Sequence, residues 1–112
     1  MRQLEIDRKR WVNRDNRDAN GSGPNKCTLL NDVGNMCCLG FKALHLDGYE
    51  PSDILHVGTP SEIEGYHSNK RLDTFEGEAI RLNDARDVAT EDREPLLIKL
   101  FATEGIELTF TS

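Results

Sequence analysis

At Gly105 the apolar periodicity of the chain changes from helical to strand-like, and that switch constrains the fold more than any other feature. Before it, Thr90 stands as a helix cap, and Glu91, Asp92 and Glu94 complement the positive end of the helix dipole. Pro95 is tolerable within or near the first turn. Leu96, Leu97, Leu100 and Phe101 then form one apolar stripe. After Gly105, Ile106, Leu108 and Phe110 alternate with Glu107, Thr109 and Thr111, the pattern of a half-buried strand. The spacing predicts a helix over 91–104 followed by a C-terminal strand. Neither element can bury its apolar side alone, so earlier residues must complete the core.

The clearest supplier is the stretch from Cys27 to Cys38, where two apolar runs flank the turn Asp32-Val33-Gly34-Asn35 and predict a hairpin. In that register Leu30 faces Cys37 and Leu29 faces Cys38. Cys27 then lies roughly 7 to 10 Å farther along, too far for a disulfide without a register shift. Phe41, Ala43, Leu44 and Leu46 predict a helix over 39–47, stopped by Gly48. Gln3 to Ile6 alternates as a short strand or the lead into a helix, and Asp7 reads as the cap of a helix over Arg8 to Val12. Asn13 to Lys26 reads as a long polar loop, punctuated by Asn20-Gly21 and Gly23-Pro24. Pro51 to Leu55 supplies one helical turn; Gly58, Pro60 and Gly65 keep the chain irregular until about residue 72, and Glu78 to Asn83 reads as a short helix.

These elements predict an α+β fold in which a small, mainly antiparallel sheet, built from the hairpin and the C-terminal strand, packs against two helices. An apolar fraction of 37% is low against the ~45 to 50% usual for globular chains, and 112 residues suit one domain over 1–112 with a modest core. The N-terminus carries Arg2, Glu5, Asp7, Arg8, Lys9 and Arg10 where a signal peptide needs an apolar run, and no stretch approaches a membrane span. The expectation is a cytoplasmic protein with reduced thiols and no membrane partner.

Charge narrows the function classes. The net charge is −6, yet residues 1–26 carry a balance of +3 and residues 72–112 a balance of −6. An acidic chain is a poor general nucleic-acid binder, because phosphate contacts need a basic surface. A local basic patch remains: Arg8, Arg10, Trp11, Arg14 and Arg17 put cations beside an aromatic ring, which can stack on a base and neutralise its phosphate. A Trp that anchors the segment to the core is the simpler role for the same residue.

Cys37 and Cys38 hold two of the three thiols and occupy the joint between the predicted hairpin and helix. Consecutive strand positions send their side chains to opposite faces, so they serve as small apolar fillers or, in the catalytic alternative, one acts as a nucleophile. Cys27, Cys37, Cys38 and His45 lack the spacing of a zinc set, and no metal or cofactor is expected. Asn83-Asp84 reads as a turn or helix cap. No phosphate-binding loop, nucleophile elbow or zinc-protease motif occurs.

A tryptophan shortly before a polar loop, then Gly34-Asn35-Met36-Cys37-Cys38-Leu39-Gly40-Phe41, and finally a Glu- and Arg-containing helix leading to Phe101 and Gly105-Ile106, resembles small bacteriophage and prophage proteins. Their landmark is a CCLG run after a short hairpin. The resemblance implies a phage accessory context in the host cytoplasm and no particular activity. It makes the leading expectation a non-enzymatic protein that binds and inhibits or sequesters a host component, either a host protein, such as a defence protein, or a small nucleotide signal. A small cysteine-dependent hydrolase or transferase is the first alternative. A self-assembling structural subunit of a virion or host complex is the second.

Overall fold

The C-terminal strand finds its partner at the other end of the chain. In the computed structural model, which describes residues 2–15, 28–67 and 69–112, strand β1 (Arg2–Asp7) runs parallel to β2 (Ile106–Thr111). Leu4 lies beside Leu108 and Ile6 beside Phe110. Period-two alternation buries Leu4, Ile6, Ile106 and Leu108 and leaves Gln3, Glu5, Glu107 and Thr109 exposed. The α+β class stands, but the mainly antiparallel sheet does not: among the described residues the sheet is one parallel pair. Parallel strands need a long crossover, and here the crossover carries four helices: α1 (Cys38–His45), α2 (Pro51–Ile54), α3 (Lys70–Asp84) and α4 (Thr90–Ala102).

The expected hairpin forms no strand ladder among the described residues. Asn31 Oδ1 accepts the N–H groups of Val33 (3.1 Å) and Asn35 (2.9 Å), closing the turn on itself, with Gly34 at φ 88°. Its two arms stay linked by Asn31 N–H to Asn35 O (2.9 Å) and Cys37 N–H to Thr28 O (3.1 Å), but each bridges a different neighbour: Leu30 pairs with Leu55, and Met36 with Trp11. Cys27 and most of the expected 13–26 loop lie outside the described residues. The predicted helix over Arg8 to Val12 is also replaced. Asp7 closes a turn by accepting Lys9 N–H on its side chain and Arg10 N–H on its carbonyl, both at 2.9 Å. The chain is thereby freed to pair with Met36, through Met36 N–H to Arg10 O and Val12 N–H to Met36 O at 2.8 Å each.

Helix α3 is longer than the predicted 78–83 segment, because Asn69 caps it at Leu72 N–H and Phe75 extends the stripe of Ala79 and Leu82 backwards. Helix α4 begins one residue before the predicted 91, capped at Ala89 rather than Thr90, and Pro95 is its sixth residue. Its core face is rotated from the predicted stripe. Arg93, Leu97 and Phe101 are buried, whereas Leu96 is 40% exposed. Arg93 is tolerated inside because its guanidinium donates to the carbonyls of Leu82 (2.6 Å), Ala85 (3.1 Å) and Val88 (3.0 Å) and pairs with Asp15 at 3.0 Å. It ties the end of α3 to the start of α4.

The Cys37–Gly40 run sits where the N-terminal arm, α1 and α3 converge. A Cβ on Gly40 would stand 1.9 Å from Leu29 O, so this close approach admits only glycine. Helix α1 has no side-chain cap of its own; Asn83 Oδ1, from the end of α3, accepts Cys38 N–H at 3.2 Å. The same oxygen accepts the indole N–H of Trp11 at 2.8 Å, and Asn83 Nδ2 donates to Val12 O at 2.9 Å. Two donors facing one atom fix the amide orientation. Among the described residues no helix is long and apolar enough to cross a membrane.

Candidate functional site: an open strand edge above an apolar groove

The parallel register decides which backbone groups of β1 are used. Arg2 N–H donates to Gly105 O and Arg8 N–H to Thr111 O, both at 3.0 Å, so the even-numbered residues turn their N–H and C=O groups towards β2. Gln3, Glu5 and Asp7 therefore turn theirs away. The Asp7 carbonyl is taken by Arg10 N–H, but the main-chain groups of Gln3 and Glu5 have no partner among the described residues. This edge faces outward and is a template for a further strand.

Beside the edge lies a groove of about 790 Å³. Leu4, Leu30, Met36, Phe41 and Leu44 supply its apolar lining, while Arg10, His45 and Pro51 stand in its walls. Helix α1 positions Phe41 and His45 one turn apart, with ring centroids 6.2 Å from each other. An unpaired main-chain row next to apolar lining is what an extended peptide needs: hydrogen bonds on one side and pockets for alternate side chains on the other.

No family model matches the chain, and neither a curated protein nor a solved structure matches it at a significant level.

The residues singled out from sequence are not gathered into one surface. The indole of Trp11 is 4% exposed, 4.7 Å from the Phe110 ring centroid, and hydrogen-bonded to Asn83. Arg8 is held by Glu94 through two hydrogen bonds of 2.8 and 2.7 Å and lies over Phe110. Arg10 points elsewhere, its guanidinium donating to Gly34 O at 3.2 Å, and it lines the groove. Arg14 enters the network through its backbone N–H, bonded to Asn83 O at 2.9 Å. Arg17 lies outside the described residues.

Cys37 and Cys38 are both buried. Cys38 Sγ lies 3.8 Å from Ala79 O at the crossing of α1 and α3. Burial pushes the Cys37 thiol up to about 12, which keeps it protonated and poorly nucleophilic at neutral pH. Among the described residues no three His, Cys, Asp or Glu side chains form a metal-binding group.

A separate polar cluster lies on the far part of α1 and α3. Tyr66 donates its hydroxyl to Glu76, and Lys42 Nζ pairs with Asp47 at 2.9 Å. Burial pushes the Glu76 carboxyl above the usual carboxylate range. Sequence inspection passed over Gln3 and Glu5 as site residues. The available signal was the alternation at Gln3 to Ile6, but alternation marks faces, and the site is an edge.

Proposed function

We propose that the protein is a non-enzymatic binding module that captures an extended segment of a partner protein on the open edge of β1. In the phage accessory setting implied by Cys37-Cys38-Leu39-Gly40, the partner is a host cytoplasmic protein, inhibited or sequestered by the added strand. The observation that carries this reading is the unpaired main chain of Gln3 and Glu5 beside the groove. The buried Trp11 ring and the engagement of Arg8 by Glu94 favour a protein partner over a stacked nucleotide. The burial of both described thiols favours binding over cysteine chemistry.

The test uses a substitution that touches only the edge. Glu5 N–H points away from β2, so Glu5→Pro removes the outward donor and spares the β1–β2 ladder. Short random peptides selected on the protein should shift the amide resonances of Gln3 and Glu5. They should bind Glu5→Pro about tenfold more weakly, the loss expected for ~1.4 kcal/mol. Selected peptides that bind the variant as tightly as the parent sink the proposal.

A further inference from the structure

Resting on that reading, we infer that the strand accepted by β1 alternates apolar side chains with basic ones. A strand laid along β1 has two unlike environments. Its inward positions meet the groove and its apolar lining, Leu4, Met36, Phe41 and Leu44. Its outward positions share the face occupied by Gln3, Glu5 and Asp7, with Glu107 one strand farther across the sheet.

That outer face carries carboxylates without a counter-charge of its own. Glu5 forms no ion pair among the described residues, and Glu107 meets only the amide of Gln3, at 3.4 Å. Lys or Arg at an outward position of an added strand would sit directly opposite Glu5, roughly 5 Å away, with Glu107 on β2 one strand farther, roughly 10 Å away. Arg10 stands in the groove wall with its guanidinium on Gly34 O, and Glu5 and Asp7 border the same groove, so the inward positions are chosen by the apolar lining rather than by charge. The two faces therefore select an alternating pattern rather than a uniformly basic or uniformly apolar one.

The same charges argue against a second copy of this chain as the occupant. Two-fold antiparallel pairing about Glu5 sets Glu5 against Glu5, a like-charge pair that cross-strand energetics disfavour. The turn after Asp7 consumes that residue's carbonyl, so the usable edge spans residues 3 to 7 and the bound segment is short.

Three synthetic peptides test the inference by fluorescence anisotropy and amide shifts: one alternating valine with lysine, one alternating valine with glutamate, and the lysine peptide N-methylated on alternate amides. The lysine peptide should bind at least about tenfold more tightly than the glutamate peptide, less so at high salt, and Glu5→Lys should reverse the order. Equal binding of both peptides with shifts at Gln3 and Glu5 would overturn the charge rule and leave the edge reading intact. Binding of neither peptide, or binding unchanged by N-methylation, would overturn the edge reading as well. A dimer in sedimentation that Glu5→Pro dissolves would identify a second copy as the occupant and overturn the inference.

Discussion

Around Asn83, the Trp11 indole, the start of α1, the Val12 carbonyl and the end of α3 meet, and each of those polar groups is hydrogen-bonded with water almost excluded; Asn83 itself is 1% exposed. Along the outer edge of β1, the main-chain groups of Gln3 and Glu5 have no partner among the described residues, and both residues are exposed. Both regions are short stretches of backbone with a few polar side chains. The difference is where water can reach. A buried polar group must be satisfied by the protein itself, and removing its partner exposes the full desolvation cost. An edge group is satisfied by water, and exchanging that water for another strand costs little. Stability is therefore concentrated at the first region, and capacity for recognition remains at the second.

The sharpest way to break this comparison is Asn83→Ala. It removes the partner shared by the Trp11 N–H, the Cys38 N–H and the Val12 carbonyl, and at ~1 kcal/mol or more for each buried hydrogen bond lost a cost of about 3 kcal/mol or more is expected in urea unfolding. A loss below about 1 kcal/mol would mean that the joint is not the keystone of the fold.

Glu76 is an intermediate case, buried yet ionisable. Its pKa is raised in the folded chain, so the folded state holds this proton to higher pH than the unfolded state does. The stability it contributes is fully present below the unfolded carboxyl value of ~4.3 and is lost as pH rises through the raised folded value. Glu76→Gln keeps an acceptor for Tyr66 and should gain stability relative to the parent as pH rises through that window. A parent-to-variant difference that does not change with pH would refute the assignment.

The smallest effect is expected at the edge. Glu5→Pro should cost within about 1 kcal/mol of unfolding free energy, while Leu4→Pro, which breaks the ladder and removes a core side chain, should cost about 3 kcal/mol or more. Equal losses for the two variants would show that the edge backbone is used within the fold.

Much of the local structure was legible. The helix and strand around Gly105, the helix over 39–47 and the alternation in β1 all follow from spacing and punctuation, whereas the double cysteine, expected on a strand, stands at the N-terminus of α1 with Cys37 as its cap position and Cys38 as its first residue. Other features depended on neighbours distant in sequence. Asn83 reads locally as a cap, and it does cap a helix, but that helix is α1, 45 residues earlier in the chain. Arg93 was passed over on the buried face of α4 because charge normally marks the solvent side, and only the converging carbonyls of Leu82, Ala85 and Val88 make its burial affordable. Of the candidate binding residues that are described, Arg10 lines the groove, while Trp11 belongs to the core.

Sequence by itself determined the periods of the elements and the buried faces of β1 and β2, whereas the buried face of α4 and the need for glycine at residue 40 came from tertiary contacts. Tertiary structure decided which strand pairs with which. Period two specifies the buried face of β1 and of β2, but a parallel pair between residues 2–7 and 106–111 leaves no turn signature in the chain. Only once that pairing is made do the even-numbered backbone groups of β1 become occupied while those of Gln3 and Glu5 are left without a partner among the described residues, and that division creates the edge proposed here as the binding site.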